Sequence, residues 1–196
     1  TKISFSGDNA RTLHLRDRKI LLNPHDKIIL TLPPAEISKL LPNKVVPEKS
    51  NPIVNIHFKL QKDNPLPHNN QFLGITNGVS QWVFHKNEVL SVTISDAINL
   101  VDQDPQTIAR NAWEELLPLL NYPNPTLPQF RVIKERNATI AQTPAQENQR
   151  PDCVTVWKNI FLAGDWTNTG LPSTIESAIK SGVTAANMSQ SHKPKN

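Results

Sequence analysis

Cysteine, methionine and glycine are all scarce in this sequence of 196 residues. The single cysteine, Cys153, excludes an internal disulfide and a CxxC metal site, and it fits a reducing compartment. No apolar run approaches the roughly 18 residues of a membrane-spanning helix, and the first residues carry no signal-peptide pattern. We therefore expect a cytoplasmic protein without a metal site.

Neither sign of charge dominates, because the sequence has 21 basic and 17 acidic residues. The only basic cluster is the terminal "SHKPKN", so we expect a flexible tail at 191–196 and no nucleic-acid partner. The sequence begins with Thr1, and its only methionine is Met188. We expect it to be part of a longer product.

The first third of the sequence predicts β-structure. "RTLHLRDRKILLN" predicts a hairpin around Asp17-Arg18, and "KIILTLPP" predicts a short strand buried on both faces and ended by prolines. Alternating apolar residues in "PIVNIHFKL" predict a half-buried strand. Two more strands are predicted in "FLGITNGVSQWVFHKNEVLSVTIS". Residues 51–95 therefore read as an antiparallel meander.

Two helices have clear start signals. Asp104 is a good N-cap with Pro105 at the first helical position of "PQTIARNAWEELLPLL". "QFRVIKERNATIAQT" then predicts a strand. Near the end, Ser173 and Glu176 have the spacing of a capping box, which opens a last helix. Its predicted inner face consists of Ile175, Ala178, Ile179, Gly182 and Ala186.

The most informative stretch is "NIFLAGD", an apolar strand that ends in Gly164-Asp165. A glycine there lets the backbone come close to a ligand. Asp165 can accept hydrogen bonds from sugar-like hydroxyls at the carboxyl end of the strand, where open α/β sheets bind ligands. The following helix offers free N–H groups and partial positive charge at its start. Such a site suits a group that gains negative charge.

This stretch resembles two flavoprotein motifs. Thr155 and the strand "IFLAGD" are similar to the second FAD motif of glutathione-reductase-type flavoproteins. "GLPSTIESAIKSG", at 170–182, resembles the C-terminal flavin motif of the amine oxidase and phytoene desaturase superfamily. Within that superfamily, "LAGDWTNTGLPSTIESAIKSG" is most similar to the bacterial hydroxysqualene dehydroxylases. "KIILTLPP", "QWVF", "LSVTIS" and "RVIKERNATIAQTP" agree, so the resemblance covers most of the sequence.

The resemblance implies an α/β fold with α+β character. It is the C-terminal part of a glutathione-reductase-type FAD-binding fold, with a substrate domain built from an antiparallel sheet and helices. Residues 1–34 and 151–190 would belong to the FAD-binding domain, and 35–150 to the substrate domain. The superfamily's GxGxxG motif, which holds the ADP half of FAD, is absent from the sequence. We therefore expect the C-terminal half of an enzyme, partnered by its missing N-terminal half.

The resemblance also implies roles for single residues. Gly164, Asp165, Trp166, Thr174, Ile175 and Pro33 are the candidate FAD-binding residues. Asp165 would bind the ribityl or pyrophosphate region, and Thr174 and Ile175 would offer backbone N–H groups to the flavin. Trp166 would wall the flavin or pack on the sheet. Pro33, with Thr31, ends a strand that passes near the flavin in relatives or is simply a buried strand end.

No catalytic residue is identified. His57 and His85 are read as surface or pocket-lining residues, and Trp82 and Phe84 either line an isoprenoid tunnel or pack in the core. The implied function is the FAD-dependent reductive dehydroxylation of hydroxysqualene to squalene. A carotenoid or phytoene desaturase and a non-catalytic truncated or split product are the alternatives. A long, apolar isoprenoid substrate adds peripheral contact with the inner face of the membrane as an expectation.

Overall fold

The structure is a computed structural model that describes residues 1–60 and 65–191. It forms two compact units. Unit 1 comprises residues 1–49 and the chain from Thr139 onward, and unit 2 is the continuous segment 50–138. The sequence places its domain boundaries elsewhere, at 34/35 and 150/151. The assignment of a cofactor or substrate role to either unit stays a prediction.

Ten strands and four α-helices are assigned within the described ranges. In chain order they are β1 (Lys2–Ser6), β2 (Asn9–His14), β3 (Lys19–Leu21), β4 (Ile28–Leu30), α1 (Pro34–Leu40), β5 (Ser50–Lys59), β6 (Phe72–Gly74), β7 (Trp82–Lys86), β8 (Val89–Ile94), α2 (Pro105–Leu116), β9 (Gln129–Ile140), α3 (Pro144–Glu147), β10 (Ile160–Leu162) and α4 (Ile175–Ser191). None of these helices is long and apolar enough to cross a bilayer. Of the predicted tail, Ser191 ends α4, and residues 192–196 lie outside the described residues.

Unit 1 contains a three-stranded antiparallel sheet in the order β1-β2-β3. The predicted hairpin around Asp17-Arg18 is confirmed, since the Leu15 amide donates to the Arg18 carbonyl at 2.8 Å between β2 and β3. Asn159 fastens this sheet to the start of β10. Its side chain accepts from the Ala10 amide at 2.8 Å and donates to the Ala10 carbonyl at 2.9 Å.

A pair of parallel strands, β4 and β10, forms the centre of unit 1. Every residue of β10 is buried, as its wholly apolar sequence predicts. The prediction that β4 is buried on both faces is wrong for Ile29, which is 39% exposed. Side chains alternate between the two faces of a strand, and the described residues cover only the face that bears Ile28 and Leu30.

Unit 2 is a five-stranded sheet in the order β6-β7-β8-β5-β9. Residues 72–95 contain three strands instead of the two predicted, because β6 forms ahead of the turn at Asn77. The alternation predicted for β5 is confirmed. One face of the sheet packs against α2 in a core that includes Val54, Ile56, Phe58, Val92, Ile108 and Trp113.

Helix α2 begins as the sequence predicts. The Asp104 carboxylate accepts from the Thr107 amide at 3.0 Å, and Pro105 occupies the first helical position. Local capping chemistry fixes this start. Asp104 accepts from a free backbone amide of the first turn, and Pro105 has no amide hydrogen that would need a partner there. The strand predicted after the helix is also confirmed as β9.

Glu115 of α2 joins the helix to the loop between β6 and β7. Its carboxylate accepts from the Val79 amide at 2.7 Å and from the Ser80 amide at 2.8 Å. Burial acts to raise the pKa of Glu115, but the hydrogen bonds from Ser80 and Val79 outweigh it, so the pKa lies below its ordinary value of 4.5. The ionised carboxylate therefore stabilises this loop.

We expect this contact to make the stability of unit 2 depend on pH. A lowered pKa in the folded state gives stability that is present above the unfolded-state pKa and is lost as pH falls through the folded-state value. Between about pH 5 and pH 3, the unfolding temperature of the wild type should therefore fall more than that of Glu115→Gln. The exposed neighbour Glu114 supplies the control, since Glu114→Gln should behave as the wild type does. Equal pH dependence in both variants would contradict the role of Glu115.

Candidate functional site

The loop after β10, residues 164–171, contains three of the predicted site residues, Gly164, Asp165 and Trp166. Thr155 shapes the turn that leads into the strand: its hydroxyl donates to the Ile160 carbonyl at 2.8 Å and accepts from the Trp157 amide at 3.1 Å. The strand then runs beside β4, and the Ala163 amide continues the pairing by donating to the Leu30 carbonyl at 3.0 Å. The loop therefore starts at a fixed position at the carboxyl end of both parallel strands.

Gly164 makes room for the indole of Trp166. Its φ of +152° lies in a region that side chains rarely adopt, and a Cβ atom there would lie 2.4 Å from Trp166 Nε1. Trp166 is 3% exposed, and its Nε1 donates to the Leu32 carbonyl at 3.1 Å. Of the two roles considered for Trp166, packing on the sheet is the one that these contacts describe. The absent side chain of Gly164 therefore accommodates protein atoms.

Arg150 holds the loop together. Its side chain is 4% exposed. The guanidinium donates to three loop carbonyls: Thr167 at 3.0 Å, Leu171 at 2.8 Å and Asp165 at 2.8 Å. It also forms an ion pair with Glu147 at 2.9 Å. An irregular loop cannot pair its own buried carbonyls, and the forked guanidinium supplies the donors that these carbonyls need.

Serines on α4 also hold this loop. Ser181 Oγ accepts from the Gly164 amide at 2.8 Å, and Ser177 Oγ donates to the Asp165 carbonyl at 3.1 Å. Ser177 also shares a 2.6 Å hydrogen bond with the Thr169 hydroxyl. Ser177, Ser181 and Ala185 are the buried residues of the helix. The helix therefore presents a small, polar face to the loop.

The predicted inner face of α4 is wrong. Ile175 is 82% exposed, and Ile179 and Val183 are 58% exposed. Ala178 and Gly182 are exposed as well, and Ala186 is only partly buried. The irregular loop needs hydroxyl partners for its backbone groups, so Ser177 and Ser181 take the inward positions, and the apolar stripe faces outward.

The predicted capping box is also wrong. The hydroxyl of Ser173 makes a short hydrogen bond to Asp165 Oδ2 in place of a cap. Thr174 caps the helix instead, because its hydroxyl accepts from the Ser177 amide at 3.4 Å and its carbonyl accepts from the Ala178 amide at 3.0 Å. Donation to a carboxylate is a charge-assisted hydrogen bond, and it holds the Ser173 hydroxyl at Asp165.

Two kinds of hydrogen-bonding group are left available at this loop. Asp165 Oδ1 has no partner among the described residues, whereas Oδ2 is held by Ser173. The backbone amides of Ile175 and Glu176, in the first turn of α4, likewise have no acceptor in the described part of the chain. The loop can thus accept from a hydroxyl and can donate to a group that gains negative charge.

Pro33 lies at the same end of the parallel pair. It directly precedes α1, and both Pro33 and Thr31 are exposed. The adjacent Leu32 carbonyl accepts from the Trp166 indole, which joins this segment to the loop after β10. The buried strand end that was one reading of Thr31 and Pro33 is not what the structure contains. Their contact with flavin stays a prediction.

The other residues singled out earlier lie in unit 2 or outside the loop. Trp82 and Phe84 are 48% and 44% exposed, so the interpretation as core residues is wrong. His57 shares a 2.9 Å hydrogen bond with Ser91, and His85 is partly buried. Burial raises the pKa of the Cys153 thiol, which keeps it protonated at neutral pH.

The family of the chain follows from a match over nearly its whole length. Residues 1–188 match the flavin containing amine oxidoreductase family. The chain belongs to this family. The flavoprotein resemblance of the motif at 155–182 is thereby confirmed, and so is the expectation of a flavin oxidoreductase fold with FAD as the family's cofactor.

Three bacterial relatives are named hydroxysqualene dehydroxylase. The protein of Zymomonas mobilis is 36% identical over 97% of this chain, that of Rhodopseudomonas palustris 39% over 93%, and that of Sinorhizobium fredii 37% over 97%. These matches cover 45%, 43% and 45% of the relatives' own lengths. The chain therefore spans less than half the length of each relative.

Solved structures support the fold of this family member. A cyclohexylamine oxidase from Brevibacterium oxydans matches 97% of the chain and 47% of its own, with a TM-score of 0.67. A putrescine oxidase variant redesigned in cofactor binding matches 95% of the chain and 47% of its own, with a TM-score of 0.65. At 13% identity, both show the fold alone.

Sequence reasoning missed Arg150, the residue with the most contacts to the loop. It lies in a polar segment that carries no recognisable motif, just after α3. One signal was present. The carbonyl groups of a loop without regular structure, such as 164–171, need hydrogen-bond donors, and an arginine side chain offers five. Thr167 and Thr169 were missed for the same reason.

Proposed function

We propose that this chain supplies the flavin-binding loop of an FAD-dependent oxidoreductase that converts hydroxysqualene to squalene by reductive dehydroxylation. The names of the three relatives support the reaction. Their greater length supports a further segment of protein that carries the glycine-rich motif for the ADP half of FAD. That segment is the partner we propose for unit 1.

The free groups at the loop after β10 carry this proposal. Asp165 Oδ1 fits a hydroxyl donor such as the ribityl chain, and the Ile175 and Glu176 amides fit an electron-rich ring edge. The Arg150 and Ser177 hydrogen bonds fix the backbone that carries these groups, so binding would require little reordering. Bound FAD would supply the redox chemistry, and this chain would bind and orient it.

We also propose peripheral contact of the cytoplasmic protein with the inner face of the membrane. An isoprenoid such as hydroxysqualene partitions into the bilayer, so an enzyme acting on it gains access to substrate by binding there. Sedimentation of the full-length protein with anionic phospholipid vesicles would test this. Recovery of all the protein in the supernatant, at low salt, would contradict it.

FAD binding tests the central proposal most directly. In a full-length protein that contains this chain, Asp165→Asn should weaken FAD binding by about tenfold or more, because it removes a charged acceptor. Asp152→Asn is the matched control. Asp152 is exposed, and its carboxylate accepts from the side-chain amide of Asn168 at 3.0 Å, so it takes no part in the acceptor site at Asp165 Oδ1. FAD content and absorbance measure the effect.

The outcome of turnover separates the candidate reactions. A yellow wild-type protein supports the proposal if, after chemical reduction of its flavin, it converts hydroxysqualene to squalene and water and the flavin is reoxidised in the same amount. A yellow protein that acts on phytoene instead would identify a desaturase. A well-folded full-length protein without flavin would contradict any flavin function for the loop and would leave a non-catalytic product.

A further inference from the structure

The three-stranded sheet β1-β2-β3 of unit 1 has an inward and an outward face. Ile3 is buried in the core of unit 1, and Leu13, which lies opposite it, packs against the same core. Because side chains alternate along a strand, the residues on either side of these two lie on the outward face. The register arranges that face in two rows, one of Lys2, His14 and Lys19 and the other of Ser4, Thr12 and Leu21.

Leu21 is the apolar residue of the outward face, and it is 77% exposed. It belongs to β3, which lies at the edge of this sheet and pairs only with β2 within the described ranges. A single exposed leucine is common on protein surfaces. What it can bind therefore depends on the side chains around it.

Basic side chains surround Leu21. Arg16 and Arg18 belong to the turn that the Leu15 amide closes between β2 and β3, and Lys19 begins β3. Lys2 lies in the same row as Lys19, across β2. These four basic residues are exposed, and none of them forms an ion pair with another described residue. Their charges are therefore available to an outside partner.

The remaining polar groups of the face do not offset this charge. Ser4 Oγ and His14 Nε2 lie 2.7 Å apart and satisfy each other. Asp17 is the single acidic residue in the stretch 11–21. A partner thus meets an excess of positive charge around one exposed apolar side chain.

We propose that this outward face is the surface by which the protein contacts an anionic phospholipid bilayer. The phosphate groups of the lipids neutralise the basic side chains, and Leu21 enters the boundary between headgroups and acyl chains. The affinity of a peripheral protein for a membrane combines these two contributions, buried apolar area and attraction to anionic lipids. The inference rests on the peripheral contact proposed above and names the residues that make it.

Other partners account for only half of the surface. A nucleic acid would pair with the arginines but would leave Leu21 in water. Another β-strand could cover Leu21, but a lysine on an edge strand discourages such pairing, and Lys19 lies two residues away. An anionic bilayer satisfies both kinds of side chain.

Vesicle binding by the full-length flavoprotein tests the inference. Vesicles of phosphatidylglycerol and phosphatidylcholine in equal parts are compared with phosphatidylcholine alone. The triple substitution Arg16→Gln, Arg18→Gln and Lys19→Gln should weaken binding to the anionic vesicles by about a hundredfold, because each basic residue at such a surface contributes about fivefold. Leu21→Ala should weaken it by about tenfold and leave its salt dependence unchanged, because only apolar contact is lost.

Unit 1 also supplies the controls. Lys49, Lys158 and Lys180 are exposed outside this sheet, so replacing all three with glutamine removes the same charge from other places. Val156 is 79% exposed, and Val156→Ala controls for the loss of an apolar surface side chain. Both controls should bind vesicles nearly as the wild type does. Flavin content and thermal unfolding show whether each variant is folded.

A direct readout comes from Leu21→Trp. Brominated lipid in the anionic vesicles should quench the fluorescence that this variant gains over the wild type, because the new indole lies among the acyl chains. Absence of quenching in a variant that binds the vesicles would overturn the inference.

The binding results separate this inference from the proposals on which it rests. If the wild type ignores anionic vesicles, the peripheral contact and the inference both fall, while FAD binding and turnover still test the enzyme. If the wild type binds and the hairpin variants bind equally well, another surface makes the contact. If the hairpin variants lose flavin or unfold early, the face packs against the remainder of the protein. If they lose affinity for RNA but not for vesicles, the partner is a nucleic acid. Each of the last three results overturns the inference.

Discussion

Arg150→Met will destabilise the chain by about 3 kcal/mol or more, because each buried carbonyl left without a donor costs about 1–3 kcal/mol. The Thr167 and Leu171 carbonyls lose their donor, and the Asp165 carbonyl keeps only the Ser177 hydroxyl. The methionine fills much of the same volume, so the loss reports hydrogen bonding more than packing. Urea unfolding measures the change in free energy, and FAD content of the full-length protein should fall with it, since the loop carries Asp165.

The control for this prediction is another arginine with one ion pair. Arg136 bonds Asp102 at 2.8 Å, and its side chain is 62% exposed. Arg136→Met should cost at most about 1 kcal/mol, as exposed pairs do. Arg150→Lys should fall between the two, since it keeps the charge but offers fewer, less divergent donors. Equal stability of the two methionine variants would show that the loop does not depend on Arg150.

Gly164→Ala should be nearly as damaging. The new methyl group would lie 2.4 Å from Trp166 Nε1, and the backbone would keep a φ of +152° that alanine resists. Overpacking and backbone strain each cost about 1–3 kcal/mol. The indole cannot retreat without losing its 3.1 Å hydrogen bond to the Leu32 carbonyl. We expect a loss of about 2–4 kcal/mol in unfolding free energy, measured in urea.

A second glycine supplies the opposite expectation. Gly182 lies inside α4, and nothing would contact an added Cβ within 4 Å. Gly182→Ala should therefore stabilise the chain by about 0.5–1 kcal/mol through helix propensity.

Trp166→Phe, which removes Nε1, should recover part of the loss caused by Gly164→Ala. Full additivity of that double substitution would contradict the proposed clash.

The parts of the fold that sequence could predict are those fixed by neighbouring residues. The start of α2 depends on Asp104 and Pro105 alone, and the burial of β5 follows from strict alternation. The orientation of α4 depends on a partner that periodicity does not describe. Apolar Ile175 and Ile179 suggested one inward face, whereas the hydrogen-bonding needs of the loop selected Ser177 instead.

The candidate site was predictable to the same extent. Asp165 and the helix after it were found because their motif is contiguous in sequence. The contact between Asp165 and Ser173 replaced the capping box, since a pattern of spacing cannot say whether a serine hydroxyl caps its own helix or donates to a carboxylate elsewhere in the loop. Arg150 lies outside the motif, and only the folded loop shows what its guanidinium contacts.

Unit 2 is a single insertion in the chain of unit 1, and this has a consequence for how such proteins diversify. Just before the insertion, the Lys49 carbonyl accepts from the Ala141 amide at 2.8 Å, and Gln146 Oε1 accepts from the amides of Glu48 and Lys49. The segment that leads into unit 2 and the segment that follows it are thus hydrogen-bonded to each other within unit 1. We therefore expect unit 1 to tolerate changes in the inserted unit without disturbing the loop that Arg150 organises.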